Sequence, residues 1–206
     1  MTATDKPDSF TFFELGTNTR FSERIRKDLG NRLGRDAIER RSILDLDTNY
    51  AGFIKKYLPK IDELNRKINY PPGERVEHDT VKLMYRYSQR KNAPFDYVEL
   101  VFSDHTKTPL LFKVNFRKDD TGIVETLKTK YGPPQIIEWK EENGTSMVWR
   151  KNTDVLLVSL VPDQLGQHEY QIVIYFVQNI NQLIEHETKE RIRKEKQRSQ
   201  SGKTAF

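Results

Sequence analysis

Glu77-His78-Asp79 and Asp104-His105 are where this sequence comes nearest to chemistry, because a carboxylate that orients an imidazole is a common basis for proton transfer or metal binding. Neighbours in an extended chain point to opposite faces, however, so adjacent carboxylates and imidazoles make poor partners in a site. Both runs are therefore expected in solvated turns or at strand ends. His168, just ahead of a strand, and His186, on a charged helix, are expected to be exposed. No His-x-x-x-His or His-Glu-x-x-His spacing occurs. Cysteine is absent, which removes thiolate nucleophiles, thiolate metal sites and disulfides together. There is no Gly-x-Ser-x-Gly elbow, and Gly30 to Gly34 lacks the Lys-Ser/Thr that a phosphate loop needs. Glu138, Glu141 and Glu142 around Trp139 resemble a sugar site in composition, but a polar hairpin tip accounts for them better. These residues lead us to expect a protein that is not an enzyme and that carries no cofactor or metal.

Binding residues are easier to find. From Arg20 to Arg41 there are eight basic residues against four acidic ones, and from Glu187 to Phe206 there are seven against three. The two ends thus carry more positive charge than the whole chain, whose net charge is +5, and the middle is slightly acidic. Arg20, Arg24, Arg26 and Lys27 could reach phosphates while Phe21, Ile25 and Leu29 dock on a core. Lys189, Arg191, Arg193, Lys194, Lys196 and Arg198 could act likewise, although Glu187, Glu190 and Glu195 interleave with them at pairing distance and no aromatic stands among them to stack on bases. Tyr85, Tyr87, Tyr97, Trp149 and Tyr175 cannot all fit one core layer. Some should cover a second face of a sheet, beneath the N-terminal segment or against a second copy of the chain.

The elements that must position these residues follow from spacing. Phe21, Ile25 and Leu29 predict a short basic helix, capped by Thr19 or Ser22 and stopped at Gly30 or Gly34. Phe10 to Leu15 reads as a short strand and Asp36 to Arg41 as a further helical turn. Asp47-Thr48 can cap a helix through Phe53, Ile54, Tyr57 and Leu58. Pro59 kinks or restarts it, and Ile61, Leu64 and Ile68 continue until Pro71-Pro72-Gly73. Val81 to Tyr87, Phe95 to Phe102 and Leu110 to Phe116 alternate as strands, with Asn92-Ala93-Pro94 as a turn. Asp120 or Thr121 can cap a helix bearing Ile123, Leu127 and Tyr131, which Gly132 and the two prolines end. Ile136 to Lys140 and Ser146 to Arg150 should form a hairpin through Asn143-Gly144, with Trp139 opposite Val148 and Trp149 on the other side. Val155 to Val161 and Tyr170 to Val177 are apolar on both faces and so should be covered on both. A last helix starts near Asn179 or Asn181 and should fray before Ser199.

The order is helix, three strands, helix, four strands, helix. It predicts an α+β fold with an extended antiparallel sheet and helices mainly on one face. An internal pseudo-twofold duplication, with Tyr70-Pro71-Pro72-Gly73 answering Tyr131-Gly132-Pro133-Pro134, and plain α+β alternation both fit. The chain reads as an N-terminal basic helical segment (1–46), an α+β domain (47–186) and a charged tail (187–206). Leu127-Lys128-Thr129-Lys130-Tyr131-Gly132-Pro133-Pro134, followed by Trp139, Trp149 and Ile172 to Tyr175, resembles a pattern in uncharacterised bacterial proteins in which a helix ends in Lys-Tyr-Gly-x-Pro and leads into a tryptophan-bearing β-meander. The resemblance implies a bacterial source and a helix-on-sheet fold, and brings no active-site residue with it.

At 206 residues, with 35% hydrophobic and 32% charged, the chain can bury one substantial core or two small ones under a well-solvated surface. Its apolar runs are far too short to span a bilayer, and Met1 to Asp8 has no apolar leader-like stretch. A cytoplasmic protein is expected. The leading functional expectation is an interaction or scaffold protein that binds a protein partner or itself as a homodimer. The alternative is a nucleic-acid-binding module that uses the basic N- and C-terminal segments.

Overall fold

The computed structural model describes residues 9–48, 50, 52–86, 94–117, 122–139, 144–162 and 168–204. The chain divides into two compact units. One comprises Met1–Ser42 and Asp79–Val177; the other comprises Ile43–His78 and Gln178–Phe206.

The first unit is built on an antiparallel sheet, which has eight strands among the described residues: β1 (Ala37–Ser42), β2 (His78–Arg86), β3 (Tyr97–Ser103), β4 (Pro109–Phe116), β5 (Gln135–Trp139), β6 (Gly144–Lys151), β7 (Asp154–Pro162) and β8 (His168–Tyr175). They lie in the order β1-β2-β3-β4-β8-β7-β6-β5. Two four-stranded meanders therefore meet at the antiparallel pair β4–β8, in register from Leu111↔Tyr175 to Phe116↔Tyr170. A helix precedes each meander: α1 (Glu23–Leu33) before β1 and α4 (Ile123–Tyr131) before β5. Leu29 and Leu33 of α1 and Val124 of α4 join one apolar cluster with Leu83, Leu100, Phe112, Val114, Leu156, Val158 and Ile174, so both helices cover the same face of the sheet. Each fully buried aliphatic side chain there contributes roughly 1.5–3 kcal/mol.

The repetition extends to the helix ends. Gly34 (φ 95, ψ −158) and Gly132 (φ 83, ψ −170) both return an N–H to the carbonyl four residues back, at 3.0 and 2.8 Å. Each stands three residues before its strand. That backbone region is open essentially to glycine alone. The structural counterpart of Gly132-Pro133-Pro134 is thus Gly34-Arg35-Asp36, and not the Tyr70-Pro71-Pro72-Gly73 run that the sequence suggested.

The opposite face carries a polar row across six strands. Arg86↔Tyr97, Tyr97↔Asn115, Asn115↔Gln171, Gln171↔Ser159 and Ser159↔Ser146 follow one another in register. Ser146, Ser159 and Gln171 are buried, and the two serine hydroxyls share a 2.7 Å hydrogen bond. Asn115 Nδ2 donates to Glu169 Oε1 at 3.2 Å. Val101, Leu111, Leu157, Val173 and Tyr175 are buried on this face too, so the sheet is covered on both sides, as the doubly apolar strands required.

Several local expectations change. Asp36 to Arg41 is not a helical turn but leads into strand β1. Ser42 N–H donates to Thr80 Oγ1 at 3.1 Å, the two hydroxyls are 2.7 Å apart, and Arg41–Asp79 and Glu39–Lys82 approach to 3.7 and 3.8 Å. Partners on β2 outweigh the local helix propensity of Glu-Arg-Arg. Phe10 to Leu15 is a tight turn: Phe13 (φ 46) and Glu14 (φ 66) stand between Phe12 and Leu15, which exchange both backbone hydrogen bonds. Gly144 opens β6 instead of closing a two-residue turn, so Trp139 pairs with Gly144, and Val148 faces Gln135. Trp139 and Trp149 still point to opposite faces. Asn143 and the cap residues Asp120 and Thr121 lie outside the described residues, as do Asn92 and Ala93.

The second unit holds α2 (Phe53–Tyr57), α3 (Pro59–Ile68) and α5 (Val177–Thr204), the last entering from the first unit at Val177. Pro59 restarts the helix at its first position, where proline costs no hydrogen bond. Asn65 Oδ1 accepts from Leu46 N–H at 2.9 Å and Asn69 Nδ2 donates to the Leu44 carbonyl at 3.2 Å, strapping the incoming chain to α3. Leu44, Leu46, Phe53, Ile54, Leu58, Ile61, Leu64, Ile68, Ile180 and Leu183 are its buried apolar residues. Contrary to expectation, α5 does not fray before Ser199 but runs to Thr204.

Candidate functional site

A groove of about 580 Å³ lies in the second unit, walled by α3, the segment after it, and α5. Spacing explains which side chains reach it. Glu63, Arg66 and Lys67 stand at i, i+3 and i+4 and share one stripe of α3, and Tyr70 follows just past its end. Ile184, Glu187, Thr188 and Arg191 repeat that spacing on α5. Ile68, Val76 and Ile184 supply apolar surface, while Arg66, Lys67 and Arg191 supply three cations.

The charges in the groove differ in how they are engaged. Arg66 Nε meets Asp62 Oδ2 at 3.1 Å, and Lys67 Nζ meets Glu63 Oε1 at 2.7 Å. The Lys67 ammonium holds the exposed Glu63 carboxyl below its ordinary range. Glu187 Oε2 accepts from His78 Nδ1 at 2.7 Å, across 109 residues of sequence. Arg191 is exposed and makes no ion pair among the described residues. From Arg191 onward α5 is exposed through Ser201, presenting Arg193, Lys194, Lys196 and Arg198 to solvent.

His78 is only 2% exposed, so it is no solvated turn residue. It opens β2, and its carboxylate partner is Glu187, not the sequence neighbours Glu77 or Asp79. A carboxylate-oriented imidazole is the core of many general-base sites. Here the second ring nitrogen, Nε2, is itself buried. A base must reach the proton it removes, and the buried Nε2 offers no such reach in this structure. Among the described residues no group of three or more His, Asp or Glu could hold a metal ion.

The residues singled out from sequence separate into two kinds. Arg20, Arg24 and Lys27 are exposed on and beside α1. Arg26 is not free for phosphate: its guanidinium grips Asp36 through two hydrogen bonds of 2.7 and 3.2 Å, which raises its pKa. Tyr85 and Trp149 are 4% exposed and Tyr175 is fully buried, so all three are packing residues in this fold. Burial also pushes the Tyr85 hydroxyl up, and Trp149 Nε1 donates to the Gly132 carbonyl at 2.7 Å, tying β6 to the end of α4. Tyr97 is half-buried, with its hydroxyl 2.6 Å from Glu99 Oε2. Tyr87 lies outside the described residues.

No family model, curated protein or solved structure matches this chain. Among the described residues no helix is long and apolar enough to cross a membrane. The groove is therefore read from its own geometry. Sequence reasoning reached Arg191 through the basic tail but missed Arg66, Lys67, Tyr70 and the His78–Glu187 pair. The i, i+3, i+4 spacing within each helix was the signal available for the helical residues.

Proposed function

We propose that this protein is a non-enzymatic interaction protein that holds an acidic protein partner along α3 and α5. The observation that carries this reading is the groove, with Ile68, Val76 and Ile184 on its walls, Arg66, Lys67 and Arg191 around it, and further exposed basic residues along α5. Apolar surface supplies binding free energy by leaving water, while cations on the rim speed encounter with an acidic partner and disfavour basic ones. An acidic amphipathic helix has the complementary composition, and docking of such a helix in a groove is a recurrent recognition mode. A cytoplasmic setting goes with this reading, because a chain without cysteine gains nothing from an oxidising compartment.

The test is fluorescence anisotropy with a labelled peptide of Glu and Leu in amphipathic helical spacing. Binding at low salt that weakens with added salt and in an R66A/R191A variant supports the reading. No anisotropy rise at low salt overturns it. One observation favours a second reading, single-stranded nucleic acid: Tyr70 is 65% exposed beside the groove cations, where a base could stack. An oligonucleotide that binds in the same assay and is released by Y70A, with the peptide inert, replaces the first reading by the second.

A further inference from the structure

We propose that His78 is a positioning residue for the groove: by taking the Glu187 carboxylate onto its buried imidazole it keeps Glu187 from pairing with Arg191 one turn on, and so leaves the Arg191 guanidinium open to a carboxylate of the partner. This rests on the acidic-partner reading of the same groove and adds the device that keeps it receptive.

The argument starts from helix geometry. Glu187 and Arg191 are spaced i,i+4 with the acid on the N-terminal side, the order in which such pairs close best. The two comparable pairs on α3 close, although Glu185 and Lys189 on α5, in the same order, make no ion pair among the described residues. Asp62 meets Arg66 and Glu63 meets Lys67 at that spacing and in that order, at 3.1 and 2.7 Å. On α5, Glu190 meets Arg193 at i,i+3 and 2.9 Å. Glu187 does not follow them. Its carboxylate sits 2.7 Å from His78 Nδ1, and Arg191 has no ion pair among the described residues. Glu195, one turn beyond Arg191, stands in the order that pairs less well.

The competition is unequal because of burial. His78 is 2% exposed, and the Glu187 side chain is 27% exposed where the two meet. A hydrogen bond to a carboxylate out of water is stronger and less screened than an exposed i,i+4 ion pair, which is worth little. The imidazole therefore wins Glu187. His78 ends one segment of the second unit and Glu187 stands on the other, so the contact is made within that unit. Without it, Glu187 has two effects that both oppose an acidic ligand. It neutralises Arg191, and it puts a negative charge beside the incoming carboxylate.

The experiment is the same peptide anisotropy assay on four variants of the full chain, each checked by circular dichroism. H78L should weaken the peptide about fivefold, since it frees Glu187 toward Arg191. H78N should bind within about twofold of wild type, because its amide can still donate to Glu187. H78L/E187Q should regain wild-type binding, since no carboxylate remains to compete; a purely structural role for His78 would not be rescued in this way. E187Q alone, which keeps His78 in place, should stay within about twofold of wild type. Equal binding by H78L and wild type, or an H78L/E187Q variant as weak as H78L, overturns the proposal. If H78L does not fold, E187Q decides: tightening of several-fold would show that Glu187 already acts on Arg191 in the wild type. R191A separates the two levels of argument, because unchanged binding there overturns the groove reading itself.

Discussion

Three glycines isolate the backbone requirement that underlies the repeated helix ends. At Gly30, Gly34 and Gly132 a Cβ would meet nothing within 4 Å, so crowding by neighbours does not decide the outcome. Conformation alone does. Gly34 and Gly132 occupy the region near φ 90, ψ 180 that side-chain-bearing residues avoid, and forcing alanine there costs about 1–3 kcal/mol. Gly30 lies inside α1, where alanine is better than glycine by about 0.5–1 kcal/mol. G34A and G132A should therefore lower the urea midpoint and G30A should raise it, at constant slope. For a chain of this size each kcal/mol corresponds to roughly 2–4 °C in melting temperature. Tryptophan fluorescence is the natural readout, because Trp149 Nε1 is hydrogen-bonded to the Gly132 carbonyl itself. A G132A protein as stable as wild type, or a G30A protein as destabilised as G132A, would refute the reasoning.

Asp154 predicts a pH effect. It is buried, accepts from Ser9 Oγ and from Val177 N–H, and burial still holds its carboxyl above the ordinary range. A raised folded value gives stability that is complete below the unfolded pKa and lost as pH rises through the folded one. Wild type should thus gain on D154N as pH falls from neutral toward about 4, seen as a growing gap in urea midpoints; a gap independent of pH would count against this. R26A should cost about 1 kcal/mol through the lost Asp36 contacts, whereas R24A should stay within about 0.5 kcal/mol of wild type. On heparin, R20A/R24A/K27A should elute at lower salt and R26A near wild type; the reverse order would return Arg26 to the binding set. Ending the chain after Arg191 should leave the unfolding free energy within about 0.5 kcal/mol, since residues 192–201 are exposed, yet should weaken the acidic peptide at low salt. A large loss of stability on that truncation would show that the end of α5 is part of the fold.

Elements with their own local signals could be read in the sequence. Ser22 as a cap, the Phe21, Ile25 and Leu29 spacing, the restart at Pro59 and the stop at Gly132 each depend on a few consecutive residues. So did the alternating and doubly apolar strands, whose pattern states how many faces are covered. What was lost depends on partners far along the chain. Strand β1 exists because β2 receives it, although Ala-Ile-Glu-Arg-Arg favours helix locally. His78 looked solvated because its partner lies on the last helix. The aromatic residues were rightly read as too many for one core layer, since the sheet buries Tyr85 and Trp149 on one face and Tyr175 on the other; their burial as packing residues was not legible. The groove itself was invisible because its two stripes are each ordinary and only their meeting is informative.

The seam between β4 and β8 has a consequence for dissecting the molecule. Among the described residues it is the only strand pairing that joins the two meanders, six residue pairs long, and it is made of segments far apart in sequence. A backbone cut between Phe116 and Ile123 would leave two fragments, each ending its meander in a raw apolar border that only the other complements. The protein thus carries its own dividing line for a split reporter, in which recovery of Trp149 fluorescence would announce that the halves have found each other.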